Sequence, residues 1–226
     1  MRDTVAILGR WIYDWQTLLS GLLALFAAVV TVRNLKKQIL QGKKQENDRL
    51  RRQHGAARAT LSLTLSGLVE TMRQILAALH QVKSDLKQQS LVQNFNPPPP
   101  PTEAIEELQQ IILSTDKPDV IQPISEIIRQ MQTLWARVEV LRDPTQQAAR
   151  AGLSIELNDW IIQAAKVHAL IESLFDYARC EAENGPANVK WERAESVLVQ
   201  MYIYDEALKA IVQRKFKKSP SFWQLS

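Results

Sequence analysis

The chain has one cysteine, Cys180, so it can form no internal disulfide and carries no Cys-x-x-Cys motif. Its seven glycines are scattered, and none builds a G-x-G-x-x-G or G-K-[ST] loop in which backbone amides approach a phosphate. Di-iron bundles need Glu-x-x-His on paired helices, but three residues after Glu70, Glu126, Glu139 and Glu156 stand Arg73, Arg129, Arg142 and Asp159. No stretch of useful length alternates with period two, so no sheet is expected. These gaps remove the usual routes by which a helical protein becomes an enzyme. No catalytic residue, metal ligand or cofactor is assigned.

Charge is missing too, over one long run. Trp15 to Val32 contains no Asp, Glu, Lys or Arg. At about 1.5 Å per residue the run covers about 27 Å, close to the ~30 Å hydrocarbon core of a bilayer. Trp11 and Trp15 stand at its N-terminal edge, where amphipathic rings favour headgroups, and Leu22, Leu25, Phe26 and Val30 supply its apolar body. A removable signal peptide fits less well: the run exceeds the usual apolar core, no small-x-small cleavage site precedes Arg33, and basic residues follow at once. A buried core helix is the other alternative. Ser20, Ala24 and Ala28 form a stripe of small residues, a weak option for helix pairing in the membrane.

Orientation follows from the flanks. Residues 33–58 hold nine Lys or Arg, with Arg33, Lys36, Lys37, Lys43 and Lys44 nearest the span, against only Glu46 and Asp48. The positive-inside rule then places the C-terminal part in the cytoplasm, with the first five cations at the lipid headgroups. Residues 59–213 reverse the balance, with 13 basic and 20 acidic side chains. The sequence pI of about 9.2 therefore reflects a juxtamembrane collar, and no nucleic acid is expected as a partner.

Beyond residue 58 the pattern is helical. Leu61, Leu65, Leu68, Met72, Ile75, Leu79, Val82 and Leu86 alternate in steps of four and three, an a/d seam for helix packing. Ile124 to Leu141, Leu153 to Leu174 and Val197 to Ile211 carry three further seams. The breaks hold stop and start chemistry: Asn96 with Pro97–Pro101 as an extended spacer, Asp116-Lys117-Pro118 and Asp143-Pro144 as capped starts, and Asn184-Gly185-Pro186 as a helix end. A short amphipathic piece spans Thr102 to Leu113.

The expected fold is all-α: one N-terminal transmembrane helix followed by a cytoplasmic antiparallel bundle of about four long helices. Its divisions are a short tail (1–14), the span (15–32), a basic juxtamembrane helix (33–58) and the heptad-patterned helix (59–95). A polyproline linker (96–101), the bundle (102–215) and a basic and aromatic tail (216–226) follow.

Three further constellations carry a functional and a structural reading. His168, Glu172, Asp176 and Cys180 share a helical stripe, a shape for a metal site but more simply a polar face bordering solvent. Arg49-x4-His54 and Arg73-x6-His80 match the arginine–histidine spacing of HEPN-type ribonucleases, a spacing that an arginine-rich chain produces readily. The cations Arg214, Lys215, Lys217 and Lys218, followed by Phe222 and Trp223, suit either membrane contact or a solvated helix end.

Asp14-Trp15-Gln16-Thr17 leading into the apolar run, then Thr31-Val32-Arg33 and a Lys/Gln/Arg-rich stretch, resembles uncharacterised bacterial single-pass inner-membrane proteins over about residues 10–65. The resemblance implies an N-terminal anchor, a helical cytoplasmic domain and an inner-membrane location, and implies no activity. The leading expectation is a membrane-anchored interaction or scaffold protein whose partners are the lipid bilayer and an unknown protein or a second copy. The alternative is a membrane-bound effector, such as a HEPN-like ribonuclease or a phage-defence or toxicity component.

Overall fold

The computed structural model describes residues 2–88, 95, 97–142 and 153–225, and for residues 2–12, 14, 17 and 154 the backbone alone. The fold is all-α. Helix α1 runs from Arg2 to Lys87 without a break. It is followed by α2 (Thr102–Ser114), α3 (Pro118–Val140), α4 (Leu153–Glu172), α5 (Phe175–Ala178), β1 (Asn188–Lys190), α6 (Trp191–Gln200), α7 (Glu206–Lys218) and β2 (Ser221–Gln224). The chain forms two compact units, Met1–Arg51 and Arg52–Ser226.

The first unit is α1 alone, so the divisions at 14/15 and 32/33 are changes of composition within one helix. Every described side chain from Leu18 to Arg51 is exposed. In the second unit the a/d spacing of α1 becomes packing. Leu61, Leu65, Leu68, Met72, Ile75, Leu79 and Val82 are buried, and Leu86 is partly buried against the same core. The same core cluster holds side chains from α3 (Ile124, Ile127, Met131, Leu134, Val138) and from α4 (Leu157, Trp160, Ile161, Ala164, Val167, Ile171). Methionine and alanine fill the gaps between branched residues, and each large buried side chain contributes about 1.5–3 kcal/mol.

Several expectations are corrected. Among the described residues only α1, α3 and α4 are long; the Val197–Ile211 seam is divided between α6 and α7. The break is a Schellman turn: Tyr202 has φ 56°, the Ile203 amide donates to the Leu198 carbonyl, and the Tyr202 amide donates to the Val199 carbonyl. Asp205 then caps α7, its carboxylate accepting from the Leu208 amide at 3.0 Å. The start of α3 uses Pro118 as its first residue, but Lys117 occupies the cap position with no side-chain bond, and Asp116 does not cap.

A small sheet exists where none was expected. β1 and β2 pair antiparallel, Asn188 opposite Gln224 and Val189 opposite Trp223. Strands of three and four residues are too short to register as alternation. The pairing takes Phe222 and Trp223 out of the expected tail and packs them against the core.

The third seam also ends differently. α4 stops at Glu172, α5 at Ala178, and Cys180 takes the left-handed conformation with φ 61°. Gly185 is therefore not the helix terminator. Its role is close approach: a Cβ there would meet the Asp119 carbonyl oxygen at 2.0 Å, while its amide donates to Asp119 Oδ2 at 2.7 Å. In the polyproline stretch Pro97 is buried, and Pro99 and Pro100 are exposed. Asn96, the Asp143-Pro144 start and residues 89–94 of the 59–95 division lie outside the described residues.

Candidate functional site: an uncovered apolar span and a polar hub

Among the described residues one helix, α1, is long and apolar enough to cross a membrane, and none of that apolar stretch is buried in protein. Trp15, Leu22, Leu25, Phe26 and Val30 are all exposed; the Trp11 side chain lies outside the described ones. Thr31 satisfies itself, its hydroxyl donating to the Ala27 carbonyl at 2.8 Å. Arg33, Lys36, Lys37, Lys43 and Lys44 follow, all exposed. Ser20, Ala24 and Ala28 stand exposed in the same stretch.

The second unit contains a polar hub built by α1, α2 and α5. His54, on α1, is half-buried between Ser114 Oγ (3.0 Å from Nδ1) and the Tyr177 hydroxyl (2.8 Å from Nε2). Ser114 donates its own hydroxyl proton to the Ile111 carbonyl at 2.9 Å, so it accepts from His54. That fixes the tautomer: Nδ1 carries the proton and Nε2 accepts from Tyr177. Burial first, then the charges of Arg58 and Lys117, hold the His54 pKa below the ordinary histidine value, which keeps it neutral.

Arg58, one turn further along α1, closes the hub. Its Nε donates to the Tyr177 carbonyl at 2.8 Å and a terminal nitrogen donates to the Ala182 carbonyl at 2.6 Å. Its guanidinium carbon sits 4.1 Å from the centre of the Tyr177 ring, a cation–π contact. Arg58 therefore belongs to the bundle and leaves the basic collar to which its position in the sequence assigned it. Beside the hub, Gln53, Ala56, Ala57 and Thr60 of α1 and Glu107, Gln110, Leu113 and Ser114 of α2 line a groove of about 360 Å³.

Both arginine–histidine pairs lie on α1. Arg49 is exposed and lies 3.9 Å from Glu46. Arg73 and His80 stand two turns apart on α1. His80 is half-buried, its pKa lowered by burial and by the charge of Lys83. The arginine that shares the His54 neighbourhood is Arg58, and its donors already serve two carbonyls.

The metal constellation separates. His168 is buried, not at the solvent border, while Asp176 and Cys180 lie beyond the end of α4 and are exposed. His168 Nδ1 is 3.7 Å from the Glu172 carboxylate, too long for a hydrogen bond, and neither ring nitrogen has a hydrogen-bond partner among the described residues. Burial is the main cause of its low pKa of about 4, with Arg73 adding to it, so the ring is neutral at pH 7. Among the described residues no group of three or more His, Cys, Asp or Glu side chains is placed to hold a metal ion.

Two polar features escaped the sequence. Lys83, one residue past the seam position Val82, is buried and forms an ion pair with Asp205 at 2.7 Å, with Lys87 at 3.1 Å from the same carboxylate. Lys166 of α4 lies within reach of the Trp191 and Phe222 rings, at 5.6 and 5.3 Å. The only hint of the first was a lysine adjoining an otherwise apolar stripe; the second carried none.

No family model, curated protein or solved structure matches this chain.

Proposed function

We propose that this protein is a non-catalytic, membrane-anchored interaction or scaffold protein, held in a bacterial inner membrane by residues 15–32 with its helical bundle in the cytoplasm. One observation carries the reading. The uncharged stretch of α1 is wholly uncovered, whereas the apolar stripes of the second unit close on one another. Leaving so many large apolar side chains in water is costly, at about 25 cal/mol per Å², and a bilayer removes that cost without any protein partner.

Orientation rests on the Lys and Arg count after the span. Arg33, Lys36 and Lys37 fall within the first turns past Val32 and suit headgroup phosphates. Lys43 and Lys44 lie about 9–16 Å beyond these three along the helix axis. That distance exceeds the ~8 Å Debye length, so the headgroups attract them far more weakly unless α1 tilts. The bundle is then the part that meets a protein partner or a second copy.

Flotation of the full-length protein after alkaline extraction tests the anchor, and a reporter fused after Ser226 tests the orientation. Co-flotation with lipid and a cytoplasmic reporter signal are expected. Recovery in the soluble fraction would overturn the anchor; an external reporter would overturn the orientation alone.

A further inference from the structure

The buried seam of α1 begins at Leu61, yet a second heptad register runs through the exposed part of the same helix. Its a positions are Leu18, Leu25, Val32 and Ile39, and its d positions are Gly21, Ala28, Leu35 and Gly42. The stripe shares only Ala28 with Ser20 and Ala24, and large side chains carry it. Leu18, Leu25, Val32, Leu35 and Ile39 are each more than half exposed. A Cβ at Gly21 or Gly42 would meet nothing within 4 Å, so the stripe is open at these glycines too.

A bilayer covers only its first part. Leu35 and Ile39 lie about 4.5 and 10.5 Å past Val32 along the helix axis, beside and beyond the cations Arg33, Lys36 and Lys37. Hydrocarbon does not extend past those charges, so the membrane gives no cover to Ile39.

The charges avoid the stripe and its edge. From Leu18 to Gln45 no a, d or g position is charged. Arg33 falls at b, Lys36 and Lys43 at e, and Lys37 and Lys44 at f. In a parallel pair each g residue faces the e residue five positions on in its partner. Lys36 then meets Thr31 and Lys43 meets Gln38, an ammonium against a side-chain oxygen each time. An antiparallel pair would instead set e against e, lysine against lysine. β-branched Val32 and Ile39 at a, with Leu35 at d, favour two strands. The apolar register stops where Glu46 and Arg49 take the next a and d positions.

We propose that two copies of this chain pair in parallel along α1 from Leu18 to Gly42, as one two-stranded coil that starts in the bilayer and continues into the basic collar. The pairing rests on the membrane-anchored reading, because insertion gives both copies one direction and one depth. The same stripe on each copy is then self-complementary in register, and the bundle surface is left for a different partner.

The test is disulfide cross-linking of the full-length protein in phospholipid vesicles, with copper phenanthroline as oxidant. Cys180→Ser removes the one native thiol, and Leu35→Cys, Lys37→Cys, Ile39→Cys or Leu40→Cys then supplies a single new one. Facing a or d positions come within disulfide reach, whereas b and f lie on the far sides of the pair. Leu35→Cys and Ile39→Cys are therefore expected to cross-link about tenfold faster than Lys37→Cys and Leu40→Cys. Leu40 is as apolar and exposed as its neighbours on the stripe, so it separates pairing from general stickiness. Ile39→Asp added to the Leu35→Cys protein is expected to lower its rate to that of Leu40→Cys. Equal rates at the four positions, faster reaction at b or f, or an unchanged rate with Ile39→Asp would each overturn the pairing. Flotation of the same vesicles reads the anchor. Protein that floats without the stripe's cross-links overturns the pairing alone, and protein that does not float overturns the anchor and the pairing with it.

Discussion

His54 and Tyr177 stand 123 positions apart in the chain and 2.8 Å apart in the structure, the tyrosine hydroxyl donating to the histidine ring. This bond joins α1 to the α5 turn, and Arg58 grips the backbone of the same turn. Tyr177→Phe deletes the bond alone and is expected to cost about 0.5–1.5 kcal/mol. A double-mutant cycle with His54→Ala, read by urea unfolding of the protein in detergent, is expected to show positive coupling. Strictly additive losses would mean that the bond contributes nothing.

Lys83 and Asp205 should respond unequally to replacement. The lysine side chain is 3% exposed, so Asp205→Ala strands a buried cation and also removes the α7 cap. The expected loss is about 3–5 kcal/mol. Lys83→Met removes the buried charge but leaves Asp205 its capping bond and Lys87, so about 1 kcal/mol or less is expected. Equal losses in chemical denaturation would contradict the asymmetry.

Acid sensitivity should begin with His168. Its pKa lies near 4 in the fold and near 6.5 when unfolded, so between these values the unfolded chain binds the extra proton. Stability is complete above pH 6.5, falls as pH drops towards 4, and loses on the order of 2–3 kcal/mol there. His54 and His80, also lowered, add in the same direction. Asp205, held to about 2 by its lysines and the Leu208 amide against burial, contributes stability that is lost below about pH 4. His168→Leu is expected to flatten the upper part of the melting-temperature profile from pH 7 to 4. An unchanged slope would show that His168 does not drive it.

Gly185→Ala is expected to destabilise by about 2–3 kcal/mol, because the added methyl runs into the Asp119 carbonyl rather than a movable side chain. Ala substitution at Gly67 on α1, where nothing lies within 4 Å, is the contrasting control. It is expected to stabilise by up to about 1 kcal/mol. Thermal melts of the pair check both signs.

The parts of the fold legible in the sequence were those dictated by spacing on a single element. The Leu61–Val82 seam buries because steps of four and three put these side chains on one face, and the charge-free run from Trp15 is local by nature. What could not be read were pairings between distant segments. Val189 opposite Trp223 leaves no periodic trace in so few residues, and Tyr177 near His54 depends on how the α5 turn lands. The α6–α7 break was hidden because Tyr202 occupies a left-handed position that glycine usually marks. Gly185 misled in the opposite sense, standing where space rather than backbone angle demands it.

The β1–β2 ribbon has a practical side for anyone handling this molecule. The Leu225 amide still donates to the Ala187 carbonyl at 3.0 Å, so ordered backbone persists to within a residue of the terminus. Tags or fluorescent proteins joined there begin at a packed edge, and a flexible spacer must come first. Trimming the last six residues, by contrast, would strip Phe222 from its edge-on contact with Trp191 and leave that indole facing water.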